Sequence, residues 1–573
     1  MPDKHQLTRL LEEIASILEL KGDNPFKVKA YLTAAHTIAG LDMELDELAA
    51  GWHGIKGIGK TIGQQIAEFA ATGRIAYRDE LQATVPPVVF ELVRIPGLGP
   101  KKALAIVEQL NISSVGELEY ACHENRLKDL PGFSEKMQAK ILQGINLYKK
   151  FQGRFLLCDA LPVAEKIAVY LAAQPGVLRA EVAGSIRRRA ETVKDIDIVV
   201  ASTEPDIAGQ AAATMPGVQT IISRGSTKIS MSLTTGMNLD VRIVPPEQFA
   251  LCLHHFTGSK EHHVQLRALA KEQGLKINEY TLADNDGNGR SAADEEELYS
   301  LLGLSYIPPE LREGMTEISL AATGAIPTLL SGADIRGIFH AHTIYSDGSA
   351  TLREMAAECR RRGWAYLGIT DHSQTAVYAR GLSIDEVKMQ RREIDALNGE
   401  LGGFVILAGI ESDILADGSL DYSDDILAEF DFVIASVHSH FRQSQTDMTR
   451  RIQRAMENRY VTMLGHPTGR ILLARPEYDV DLGAVITAAA RTGTIIEINA
   501  NPYRLDLDWR YCREAADQGV LLAINPDAHA LNELDHMDYG VAMARKGGLT
   551  RDDVINTRPL ADMLKLLRRK RGQ

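Results

Sequence analysis

The stretch VAGSIRRRAETVKDIDIVV, residues 182–200, places Asp195 and Asp197 on either side of Ile196 in an otherwise apolar strand. Alternate residues of a strand share a face, so both carboxylates project together while Ile196 and Ile198 turn towards a core. A second stretch, NLDVRIVPPE (238–247), has the same pattern: Leu239, Val241 and Ile243 on one face, Asp240 and Arg242 on the other. If the two strands pair, Asp195, Asp197 and Asp240 converge. Such a cluster repels itself unless cations bind, and hard oxygen donors favour Mg2+ or Mn2+. Two such ions can activate a 3′-hydroxyl and stabilise a leaving pyrophosphate in an in-line displacement. Gly184-Ser185 followed by Arg187 and Arg188 would hold a triphosphate through backbone amides, a hydroxyl and guanidinium forks. An exposed, charged edge strand accounts for Asp195 alone but poorly for the whole constellation.

A second set of ligand types occupies the last 240 or so residues. Apolar runs there each end in a residue that can bind metal: RGIFHAHTIYSDGS, YLGITDHS, VILAGIESDI, DFVIASVHSHF, VTMLGHPTG, TIIEINANP and LLAINPDAHA. The set is His340, His342, Asp347, His372, Glu411, His438, His466, Asp527 and His529. Imidazoles with carboxylates suit Zn2+, Mn2+ or Fe, which can activate water for attack on phosphorus. A lone histidine is better read as a satisfied core or surface residue; nine ligand types at strand ends are not. The intervening stretches, rich in Ala, Glu and Arg, are helical, and alternating strand and helix predicts a parallel sheet or barrel. In such barrels chemistry gathers at the C-terminal ends of the strands. His440 is equally open to substrate contact or packing, and Asn499 and Arg470 are weaker phosphate-binding candidates.

The first third carries three related segments, GIKGIGKTIGQQI (54–66), IPGLGPKKALAIV (95–107) and LPGFSEKMQAKIL (130–142). Each runs from an apolar residue through a glycine turn into an amphipathic helix. Glycine permits the positive φ of a tight turn, and the amides beyond it can face an anion. The pattern resembles the helix-hairpin-helix motif, which grips DNA phosphates without reading bases. Gly57, Gly59, Gly97, Gly99 and Lys101 are its candidate DNA contacts; Ser134 replaces the second glycine of the third copy.

At 573 residues the chain is too long for one core and predicts several domains. No apolar run is long enough to span a membrane. The five cysteines, Cys122, Cys158, Cys252, Cys359 and Cys512, stand singly, which suits free thiols in a reducing compartment rather than a disulfide framework or a cysteine zinc site. A formal charge of −13 argues weakly against nucleic acid as a partner, but in a multidomain chain local motifs outweigh it. Long duplex should bind weakly and with steep salt dependence.

GS-x-RR, then DID, then DVR, then HFTGSKEHHVQLRALAKEQGLKINEYTL (255–282) together resemble the family X DNA polymerases, relatives of DNA polymerase beta, over nearly all of residues 1–320. The resemblance implies that Asp195 and Asp197 bind both metals, and that Asp240 ligates the catalytic one and accepts the primer hydroxyl proton. Gly184, Ser185 and Arg188 would contact the triphosphate. Phe256-Thr257-Gly258 would lie under the sugar, His263 at the base edge, and Arg267 against template or minor groove. The chain departs from the family at His255, where tyrosine is usual, and at His263, where asparagine is usual; both bear on sugar and base discrimination. Gln65 stands where relatives that remove 5′-deoxyribose phosphate carry the Schiff-base lysine, and Gln cannot form an imine. The C-terminal pattern resembles the PHP (polymerase and histidinol phosphatase) domain. That likeness implies a distorted (β/α)7 barrel with up to three Zn2+, Mn2+ or Fe ions: one on His340, His342, Glu411 and Asp527, a second on Glu411, His438 and His466, a third on Asp347, His372 and His529.

The expected organisation is an N-terminal helical DNA-end-binding domain (1–80), fingers with helix-hairpin-helix motifs (81–150), an α+β nucleotidyltransferase palm (151–246), a thumb (247–318), a linker (319–334) and the PHP domain (335–573). The expected function is template-directed filling of short gaps in DNA repair, with metal-dependent 3′–5′ exonuclease or 3′-end-processing activity. Expected partners are gapped or nicked duplex, 3′ ends and dNTPs, for a monomer in the bacterial cytoplasm associated with the nucleoid. The alternatives are a 3′-end phosphoesterase with a weakly active polymerase half, and a non-enzymatic end-bridging scaffold.

Overall fold

The computed structural model describes residues 4–569 apart from 22, 41, 42, 44, 56, 83, 94, 96, 129 and 150–152. The start of the chain at 1–3 and the expected boundary at 150–151 lie outside the described residues. The chain forms two compact units, Met1–His123 with Leu127–Tyr148, and Glu124–Arg126 with Lys149–Gln573.

The first unit is helical. Gly57, Gly97 and Gly132 all have positive φ (+99°, +92° and +83°) and open the three expected turns. Gly59 and Gly99 then cap the helices Lys60–Thr72 and Pro100–Leu110 in extended conformation. The third turn keeps this shape with Ser134 ahead of the helix Glu135–Lys149, its Oγ accepting from the Met137 amide at 3.3 Å. Only the first glycine of each pair needs the left-handed region, so serine at the second position leaves the hairpin intact. Ile62, Ile66 and Phe69 share one core with Ala103, Ile106, Val107 and Leu110.

The second unit begins with a five-stranded sheet in which Asp195–Ser202 and Asn238–Val244 are central neighbours. They run parallel, with Asp197 opposite Asp240 and Asp195 opposite Asn238. Ile196, Ile198, Leu239 and Val241 fill the core beneath. The thumb follows: helices Phe249–Thr257 and Lys260–Glu272, three short strands, and the helix Glu295–Leu301. Ser259 caps the second of these helices, its Oγ accepting from the His262 amide at 3.0 Å.

The remaining strands, Gly337–Ile338, Tyr366–Ile369, Val405–Asp413, Phe432–Ser436, Met463–Leu464, Ile495–Asn499 and Leu522–Asn525, pair in chain order and all in parallel. An isolated parallel bridge, Ala341 to Ala528, brings the last strand back to the first. This is the distorted (β/α)7 barrel. Its strands are buried almost throughout, as a parallel sheet covered by helices requires. The expected linker is partly packed: residues 319–322 belong to the thumb helix Glu317–Ala322, and Leu330 sits in the barrel core. Among the described residues no helix is long and apolar enough to cross a membrane, and the five cysteines are free thiols.

Two candidate metal centres

In the palm, Gly184 takes φ +63°, and a Cβ there would lie 2.1 Å from Asp197 Oδ2. The Ala183 amide donates to the Asp197 carbonyl at 2.8 Å, so the glycine turn is pressed onto the carboxylate strand. Asp240 Oδ1 accepts from Ser230 Oγ at 2.6 Å, and its Oδ2 pairs with Lys228 Nζ at 2.5 Å. Asp195 is exposed. Burial, then the charges of Asp195 and Asp240, push the Asp197 carboxyl up to about 7, against the opposing pull of Lys228 and Arg242, as desolvation and like charges require. The donors are hard oxygens and fit Mg2+ or Mn2+.

The thumb residues flank this face. Arg242 stacks on the Phe256 ring, 4.3 Å from its centroid. His255 and His263 stack on each other, centroids 5.0 Å apart. His263 Nε2 lies 2.7 Å from the His255 carbonyl. A carbonyl only accepts, so Nε2 carries the proton. Burial, then His255 and His262, push the His263 imidazole down to about 3, and the ring is neutral. Arg188 donates through Nε to Glu313 (3.0 Å) and through Nη1 to the Thr257 carbonyl (2.7 Å). Arg187, read from sequence as a triphosphate contact, is instead a palm–thumb strut: its Nη1 and Nη2 grip Glu295 at 2.9 and 2.7 Å, and Arg312 reaches the same carboxylate. Arg267 and Lys101 are exposed, while Gln65 is buried.

The barrel centre is built differently. Its nine residues all converge at the strand ends, and three groups bring their ligand atoms within 4.8 Å of one another: His340, His342 and Asp527; His372, Glu411 and His438; and His342, Asp347, His372 and His529. The palm aspartates form no such group. Glu411 is the hub, its oxygens 3.0 Å from His372 Nδ1, 3.0 Å from His466 Nε2, 3.3 Å from His438 Nε2 and 3.5 Å from His340 Nε2. The grouping differs from the expected one in that His342 and His372 each serve two clusters, while Glu411 groups with His372 and His438. Asp527 takes φ +52°, a conformation that a non-glycine residue holds only where its surroundings enforce it.

His340 Nε2, His342 Nδ1, Asp347 Oδ2 and His529 Nε2 are buried and make no hydrogen bond. Buried polar atoms are otherwise nearly always paired, so these donors fit the ligation of a cation. Electrostatics agree. Burial raises Glu411 and Asp527, but the facing histidines outweigh it and hold both well below the carboxylate range. Burial likewise opposes charge on His438, yet Glu411 and Asp413 push it up to about 10.

A further layer was not read from sequence. Glu497 is 2.7 Å from His340 Nδ1 and accepts from the His466 amide (2.8 Å) and Asn525 Nδ2 (3.0 Å). Asp413 is 2.5 Å from His438 Nδ1. Asp371 accepts from Thr343 Oγ1, Ser346 Oγ and Gln390 Nε2. Glu497 and Asp413 fix the tautomer and orientation of the imidazoles they face, while Asp371 braces residues 343–346 beside them. The available signal was a charge inside an apolar strand, Glu497 in IIEIN, and the period of two from Glu411 to Asp413. Two weaker candidates move. Asn499 donates to Asp527 Oδ2 (3.0 Å) and Glu497, which makes it an orienting residue. Arg470 is buried against Asp508 at 2.6 Å, which makes it a strut. His440 is exposed at φ +55°, which removes the packing role.

The fold and both centres define a polymerase-beta-like palm and thumb joined to a PHP barrel. Comparison agrees along the chain: a helix-hairpin-helix domain matches residues 2–75, a SAM-like helix-hairpin-helix tandem 89–146, the DNA polymerase beta thumb 252–313 and the PHP domain 339–501. The chain is 40% identical, over 99% of its length and 99% of the relative's, to the DNA polymerase/3′-5′ exonuclease PolX of Bacillus subtilis. A probable phosphatase of Thermoanaerobacter is 29% identical over 41% of this chain and 96% of its own. One of Caldicellulosiruptor saccharolyticus is 29% identical over 40% and 94%. The chain belongs to the bacterial family X DNA polymerases that carry a C-terminal PHP domain.

Proposed function

We propose that this enzyme fills short gaps in duplex DNA during repair and trims 3′ ends with its C-terminal centre, as a 3′–5′ exonuclease or related phosphoesterase. The observation that carries the reading is the presence of two intact carboxylate-based centres in one chain, each with its own glycine turn or barrel mouth. The end-to-end likeness to a relative named for both activities supports it.

In the palm, Asp195, Asp197 and Asp240 hold Mg2+ or Mn2+, and Asp240 takes the proton of the primer 3′-hydroxyl. Gly184, Ser185 and Arg188 hold the triphosphate, Phe256 and Gly258 pack under the sugar, and His263 faces the base. Gly57, Gly59, Gly97, Gly99 and Lys101 hold backbone phosphates, and Arg267 the template. In the barrel, His340, His342, Asp347, His372, Glu411, His438, His466, Asp527 and His529 hold up to three Zn2+, Mn2+ or Fe ions, oriented by Glu497 and Asp413. Bound ions supply Lewis acidity and charge neutralisation at phosphorus. The domain limits 1–80, 81–150, 151–246, 247–318 and 335–573 are part of this proposal, as are a monomeric state and action in the cytoplasm at the nucleoid. Gln65 takes Schiff-base lyase chemistry away from its own position in the first hairpin, leaving nearby Lys60 as the substitute amine.

The test is a 5′-labelled primer in a short-gap duplex with Mn2+. Template-matched extension with dNTPs and shortening without them support the reading. Shortening without any extension favours the second reading, a 3′-end phosphoesterase with a weak polymerase half. The palm aspartates, which form no closed ligand group, and the likeness of the barrel to relatives named phosphatases both motivate that alternative.

A further inference from the structure

One of the barrel's contacts with the palm is a buried lysine. Lys546 ends the helix Met537–Lys546 of the PHP domain, and its side chain is 1% exposed. Its ammonium donates to the Arg188 carbonyl at 3.0 Å and to Glu313. Glu313 in turn accepts from Arg188 Nε. One thumb carboxylate is therefore shared between a palm arginine and a barrel lysine. Neighbouring contacts fix the geometry. The Trp509 ring lies under the ammonium at 4.6 Å, Arg545 Nε bonds Glu310 at 2.8 Å, and Glu191, just beyond the arginine run, is 3.7 Å from both Arg470 and Arg510. The turn 184–191 is thus clamped from the barrel side.

Charge makes the link consequential. Two cations share one anion, so the turn keeps net positive charge where an anionic ligand is to bind. With Lys546 removed, Glu313 and Arg188 close into a neutral pair, and the turn loses the bond to its own backbone. A buried ammonium is costly unless paired, and nothing in the barrel's own metal centre uses it.

We propose that Lys546 is a positioning residue for nucleotide incorporation: a PHP-domain side chain that, through Glu313 and the Arg188 carbonyl, holds Arg188 ready for the triphosphate of the incoming nucleotide. This rests on the reading that Arg188 contacts the triphosphate, and the test separates the two. Single-nucleotide gap filling with Mg2+ and the full chain gives KM for dNTP and kcat separately, and single-strand digestion with Mn2+ reports the intact barrel. Lys546→Met should raise KM for dNTP by about tenfold, the worth of one charge-assisted hydrogen bond, with little change in kcat and unchanged digestion. Lys546→Arg should restore KM, and Lys546→Met should add less in a Glu313→Gln background than it does alone, because only its bond to the Arg188 carbonyl is then left to lose. Glu313→Gln, which leaves Lys546 in place, reads the same link should Lys546→Met not fold. If Arg188→Ala raises KM but neither Lys546→Met nor Glu313→Gln does, the positioning role is overturned. If Arg188→Ala leaves KM unchanged, the reading of Arg188 itself falls, and the proposal with it.

Discussion

The palm and the barrel both gather carboxylates, but to different degrees of completion. In the barrel, ligand atoms of three groups already lie within 4.8 Å and several point, buried and unbonded, at one another. In the palm, Asp195 is exposed, Asp240 is neutralised by Lys228, and Asp197 is pushed up to about 7, by burial and then by its acidic neighbours. The reason is architectural. A closed parallel barrel aims every strand end at one point, and its side chains are fixed by packing. The palm is one open sheet face. On the proposed function, a centre that acts on varied DNA ends is prebuilt, whereas one that must accept a templated nucleotide is completed by it.

The sharpest break in the comparison is Glu411→Ala. Removing the hub should abolish digestion to background and lower the number of ions bound by the barrel, measured by elemental analysis after dialysis, with gap filling unchanged. Retained digestion would show that Glu411 is not the hub. Next in size is Gly184→Ala. Its Cβ would overlap Asp197 Oδ2, and a displacement of that order costs about a hundredfold in rate. Primer extension should fall by that factor while digestion persists.

Glu497→Gln sharpens the contrast within the barrel. Loss of the orienting carboxylate behind His340 should weaken metal affinity or digestion by roughly ten- to a hundredfold, read by metal titration. A change under twofold would reduce Glu497 to packing. The smallest effect is on stability. Burial holds His254 well below the usual imidazole range, and His262 is lowered as well, again first by burial. As pH falls below the unfolded value near 6.5, the unfolded chain takes up protons that the folded thumb excludes. Stability is therefore full above that pH and is lost as pH drops towards the folded values, by up to roughly 1.4 kcal/mol per pH unit for each group. Tm should fall between pH 7 and 5.5, and less so in His254→Phe.

Much of this was legible in the sequence. Alternation placed Asp195 and Asp197 on one face, and pairing with Asn238–Val244 brought Asp240 opposite Asp197. The candidate barrel ligands stood out because apolar runs end in such residues, a local signal that survives without knowledge of the tertiary fold. What failed to show were contacts made by residues distant in sequence. Arg187 looked identical to Arg188 until Glu295 claimed it. Lys228 gave no sign of meeting Asp240, because strand order, not sequence, brings them together. Lys546 lies 358 positions from Arg188, and no local pattern marks a lysine that will be buried by another domain.

If one chain carries two separable centres, crossed variants will part their activities. On the same gapped substrate, Asp197→Ala should abolish extension and leave digestion at the wild-type rate, while His342→Ala should abolish digestion and leave extension. Loss of both activities in either variant, with the fold intact by Tm, would contradict separate centres and make the palm and barrel parts of one site.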